Sequence, residues 1–115
     1  MTNEVEFVVT ESGQPDVPVL SVGGEVDVAS APELHAHLHR IIEQNTSDII
    51  VDTTEVTFID STGLGVLVDA EKTMRDTGRQ MRLVVNQPQI IRVLELTGLD
   101  EVFTIVPSAN DEVRS

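Results

Sequence analysis

VTFIDSTGLGVLV, residues 56–68, runs from an apolar lead into a helical stripe. The lead ends at Asp60. Two hydroxyls follow, Ser61 and Thr62, then Gly63-Leu64-Gly65 and an apolar run with helical spacing. Val56 to Ile59 therefore leads into a helix from about Ser61 to Thr77, with Leu64, Leu67, Val68 and Met74 on its buried side and Gly78 as its stop. Ser61 falls where a helix has free N–H groups and its positive dipole end. Two readings of this turn stand side by side. In one, Asp60 and Ser61 are caps and the glycines let the helix press on a strand. In the other, an exposed Ser61 at a helix N-terminus is a favourable place for a phosphate.

Outward from that segment, strands and helices alternate. Residues 4–10 alternate apolar and polar, as a half-buried strand does. ESGQPD, residues 11–16, is turn chemistry. Val17 to Val22 is a second strand, antiparallel to the first across this short connection. Ser30-Ala-Pro-Glu33 has the pattern of a capping box opening a helix to about Gln44, with Leu34, Leu38, Ile41 and Ile42 as its stripe. DIIVD, residues 48–52, reads as a strand covered on both faces, with Asp52 capping the turn after it. Met81 to Val85 is the next strand. Asn86-Gln-Pro-Gln89 opens a helix with Ile90, Ile91 and Leu94 inward and Gly98 as its stop. Val102 to Val106 is the last strand, and residues 107–115 are a polar tail. The order is β-β-α-β-α-β-α-β. It implies an α/β fold with a mixed, mainly parallel sheet of about five strands and packed helices. One domain over 1–115 is expected, with its core at about 5–106.

Composition narrows function by exclusion. Of 115 residues, 40% are hydrophobic and 23% charged, an ordinary globular mix. Twenty acids against seven bases give a net charge of −13. Nucleic acid and anionic membranes reward basic faces, so neither is an expected direct partner. Residues 1–39 hold seven acids and no Lys or Arg, while five of the seven bases lie between 72 and 92. This is either a solvated acidic surface or a face that steers towards a basic protein partner. There are no cysteines. With no secretory signal and no apolar span, a cytoplasmic location is expected.

Enzyme signatures are missing. No phosphate-binding GxxxxGK[ST] loop, GxSxG elbow, HExxH pair or complete GxGxxG occurs. Asp52 ends a buried strand as a receiver-domain phosphoacceptor would. The receiver site also needs an acidic pair and a lysine after the last strand, and the only lysine is Lys72, inside a helix. His35 and His39 share a helix face and His37 points elsewhere. Two histidines hold zinc only if a third ligand approaches. The expected reading is an exposed polar face, with no metal and no cofactor.

Three motifs carry a family resemblance. DSTGLG at 60–65, GGEVD at 23–27 and LTGLDEVF at 96–103 resemble, in order, elements of the STAS domains, most closely the bacterial anti-sigma factor antagonists. The resemblance covers about residues 5–106. It implies that Ser61 is phosphorylated by a partner anti-sigma factor with serine kinase activity, and that a phosphatase reverses this. It implies a partner-binding end made by Asp27, Asp60, Ser61, Thr62, Gly63, Leu64 and Gly65. The unphosphorylated form would bind the anti-sigma factor and free a sigma factor. The chain would be a kinase substrate rather than an enzyme, as a monomer or weak dimer. The alternative is a STAS scaffold without the switch, or a subunit of a larger assembly.

Overall fold

A hairpin and three strand–helix–strand crossovers build the molecule. The computed structural model describes residues 6–14 and 16–108. The elements are β1 (Val8–Gln14), β2 (Val17–Val26), α1 (Ala31–Gln44), β3 (Ile49–Ile59), α2 (Ser61–Asp76), β4 (Met81–Val84), α3 (Pro88–Thr97), a 3-10 turn (Leu99–Glu101) and β5 (Thr104–Val106). They form a five-stranded sheet in the order β1-β2-β3-β4-β5. The β1–β2 pair is antiparallel, and the other neighbours are parallel. This is the mixed, mainly parallel α/β sheet that the alternation of elements implies.

Strand alternation sorts the core. Leu20, Ile49, Val51 and Leu83 face one side, where they meet Leu34, Leu38, Ile41 and Ile42 of α1, Leu64, Leu67 and Met74 of α2, and Ile90 and Leu94 of α3. Val19, Ile50 and Val84, each next in sequence to one of these, form a smaller buried cluster with Val106 on the other face. Burial on both faces is why DIIVD is continuously apolar. Each such side chain contributes about 1.5–3 kcal/mol through burial. On α2, Ala70 is buried and Val68 only partly so; on α3, Ile91 is likewise only partly buried.

Several boundaries differ from the sequence expectation. Residues 4–5 lie outside the described residues, and the first strand begins at Val8 and runs through Glu11-Ser12-Gly13. Residues 11–14 are therefore strand, not turn. β1 is an edge strand whose outward positions bury nothing, so polar residues serve there. β2 continues past Val22 to Val26. β3 does not stop at Asp52 but runs on to Ile59. Asp52 Oδ1 accepts from the Thr54 N–H at 2.9 Å, beside a register shift in which Ser21 pairs Asp52 but Gly23 pairs Glu55. The turn-like bond exists, inside a bulge rather than at a strand end. The Gln87 amide donates to the carbonyls of Thr53 and Val56, at 2.6 and 2.7 Å, which satisfies backbone at this irregularity. β5 starts at Thr104 because the preceding turn carries Phe103 into the core. Residues 109–115 of the polar tail lie outside the described residues. No helix among the described residues is long and apolar enough to cross a membrane.

Candidate functional site

Val26 and Ile59 are partners in the parallel register of β2 and β3. The next residue on each strand is an acid, Asp27 and Asp60. The sheet thus delivers both to the same edge, outside the carboxyl ends of its strands, where ligands of open α/β sheets bind. The Asp60 N–H donates to the Val26 carbonyl at 3.1 Å, which ties the two strand ends together.

Asp60 is the N-cap of α2. Its backbone is extended, and its Oδ1 accepts from the Gly63 N–H at 3.0 Å. Its carbonyl accepts from the Leu64 N–H at 2.9 Å. Among the described residues the first-turn N–H groups of Ser61 and Thr62 have no protein acceptor, and both residues are exposed. The helix dipole favours an anion at this point.

Gly63 and Leu64, which the resemblance puts at the partner-binding end, are both buried. A Cβ on Gly63 would stand 2.6 Å from Val26 Cγ1 and 2.9 Å from the Val26 carbonyl oxygen. The glycine lets the first turn of α2 sit directly on the ends of β2 and β3. Leu64 packs into the core beneath it. Gly65 is exposed, with no atom within 4 Å of the space its Cβ would fill.

The capping box at Ser30 does not form. Ser30 has helical backbone angles and makes no side-chain cap bond. Asp27 takes that role three residues earlier: its Oδ1 accepts from the N–H groups of Ala29 (3.0 Å) and Ser30 (3.2 Å), and its carbonyl accepts from the Ala31 N–H at 2.8 Å. The buried Ser30 hydroxyl donates to the Glu25 carbonyl at 2.9 Å and accepts from the Asp27 N–H at the same distance. Glu33 does not reach back; its carboxylate lies 3.9 Å from His37 Nε2. Gly24, at φ +85°, has the Glu6 carbonyl oxygen 2.2 Å from its missing Cβ, so GGEVD needs a glycine there for close approach of the N-terminal segment.

Two exposed apolar residues were not singled out in the sequence. Val28 is 71% exposed and Phe58 49% exposed. Val28 follows Asp27 directly, and Phe58 pairs in register with Glu25. Both therefore border the acid pair. Periodicity hides them: Phe58 sits in an apolar strand end, and Val28 in a turn with no pattern.

The STAS domain model matches residues 9–112. The chain belongs to the STAS domain family. This STAS domain is 34% identical over 104 residues to the anti-sigma-B factor antagonist of Bacillus subtilis (strain 168), covering 90% of this chain and 94% of the relative. It is 34% identical over 86 residues to the anti-sigma-B factor antagonist of Staphylococcus aureus (strain NCTC 8325 / PS 47), covering 75% and 80%. Among solved structures it resembles an anti-sigma factor antagonist from Mycobacterium paratuberculosis, with a TM-score of 0.86 at 26% identity, covering 95% of this chain and 92% of the other.

Proposed function

We propose that this STAS domain is an anti-sigma factor antagonist switched by phosphorylation of Ser61. The unphosphorylated form binds an anti-sigma factor with serine kinase activity and frees a sigma factor. Phosphorylation blocks that binding, and a phosphatase resets it. One observation carries the reading: Ser61 is exposed at the first position of α2, directly after the capping Asp60, on a turn that Gly63 and Leu64 anchor in the core.

The switch is electrostatic. A phosphate adds roughly −1.5 to −2 charge beside Asp60. The α2 N-terminus stabilises that charge by ~0.3–1 kcal/mol, so the fold survives. In a docked interface the same charge must be desolvated or face fixed acids, and like-charge juxtaposition there costs several kcal/mol. Each ~1.4 kcal/mol is tenfold in affinity, so a loss of about a hundredfold or more follows. Val28 and Phe58 provide the apolar contact that the partner covers, and the acids around them select a basic rim.

Peptide mass spectrometry after incubation with ATP and lysate of the host tests the first step. The expected result is one phosphate on the peptide holding Ser61, absent from Ser61→Ala. No phosphate on that peptide, with other proteins of the lysate labelled, contradicts the reading.

A further inference from the structure

The third ligand that the two-histidine face of α1 lacks in the sequence is supplied by α2. His35 and His39 stack with ring centroids 4.1 Å apart and planes tilted by 37°. Asp69, on the facing side of α2, places Oδ2 3.0 Å from His39 Nε2. One ligand atom from each of His35, His39 and Asp69 lies within 4.8 Å of the others.

We propose that His35, His39 and Asp69 bind a divalent transition ion of the Zn2+ type across α1 and α2. The donor set of two imidazoles and one carboxylate suits a borderline ion such as Zn2+ and is a poor match for Mg2+, which prefers oxygen. The spacing fits as well. With metal–ligand bonds of ~2.0–2.1 Å, neighbouring ligand atoms stand roughly 2.9–3.4 Å apart, depending on coordination angle. The His39–Asp69 pair already has that separation. His35 is exposed, so its side chain is free to turn its ring nitrogen towards the pair.

The neighbours leave these groups available. Lys72, one turn along α2, pairs with Asp76 at 2.9 Å. His37 lies on another face, near Glu11, Glu33 and Arg40. The net charge of −13 raises the local concentration of cations at the surface. The remaining coordination positions face solvent and take water. The competing explanation is an inter-helix hydrogen bond between His39 and Asp69, in which His35 has no part.

Calorimetric titration of the untagged chain with Zn2+, paired with thermal unfolding, separates the two. One Zn2+ should bind per chain and raise the melting temperature saturably, with reversal by a chelator. His35→Ala and Asp69→Asn should each weaken binding by about tenfold or more, since even outer partners of metal ligands are worth that much. His37→Ala should bind as the wild type does. Mg2+ at equal concentration should give no rise. Absence of Zn2+ binding, equal affinity in His35→Ala, equal loss in His37→Ala, or an equal effect of Mg2+ would each overturn the proposal. All these positions are outside the core, so folding of the variants can be checked by the same melts.

Discussion

The Asp60 N–H donates to the Val26 carbonyl at 3.1 Å, and this bond ties together the strand ends that Asp27 and Asp60 follow. It joins the last residue of β2 to the cap of α2. Asp60 therefore has two tasks: its backbone fixes the strand ends, and its carboxylate receives the Gly63 N–H. Asp60→Ala keeps the first and removes the second. Losing such a cap costs ~0.5–2 kcal/mol, which lowers the melting temperature of a domain this size by roughly 4–8 °C per kcal/mol. An unchanged melting curve would show that the cap contributes nothing.

Gly63 and Gly65 separate by two substitutions. Gly63→Val forces a side chain onto Val26 and should destabilise by ~1–3 kcal/mol or more. Gly65→Ala enters open space and gains ~0.5–1 kcal/mol from helix propensity. Chemical denaturation measures both. Equal stability in the two variants would remove the packing role assigned to Gly63.

Ser30 is a structural residue beside the site. Ser30→Ala leaves the Glu25 carbonyl and the Asp27 N–H without their side-chain partner, at a cost of about 1–3 kcal/mol. The loop from Asp27 to Ser30 should also exchange its amide hydrogens faster. Wild-type exchange in this loop would mean the hydroxyl is dispensable.

Thr62 is the second exposed hydroxyl of the turn. Thr62→Ala should leave phosphate acceptance intact, read as label incorporated from ATP in the presence of the kinase. Loss of labelling would move the acceptor from Ser61 to Thr62.

The order of elements was legible because each helix carries a clear stripe and each buried strand a short apolar run. Leu34, Leu38, Ile41 and Ile42 are all buried where their spacing puts them. The antiparallel hairpin is legible but the length of its turn is not: Glu11-Ser12-Gly13 has turn composition, and pairing to β2 overrides composition on an edge strand. The cap of α1 is ambiguous in the sequence because Ser30 and Asp27 are both good caps. The S-x-x-E spacing favours Ser30, but the backbone is already helical there, so its hydroxyl turns back to Glu25. At the site, the approach of Asp27 to Asp60 depends on strand register, which no local pattern records. The same holds for Asp69 and the histidines of α1, brought together only when two helices pack.

Titration of the purified anti-sigma factor into this protein, once unphosphorylated and once phosphorylated at Ser61, tests the switch most directly. Ser61→Ala and Ser61→Asp extend the series. The expected result is tight binding by the unphosphorylated chain and by Ser61→Ala, with affinity lower by about a hundredfold or more for the phosphorylated chain and clearly reduced for Ser61→Asp. Equal affinity of the phosphorylated and unphosphorylated chains would contradict the switch and leave Ser61 as an ordinary first residue of α2.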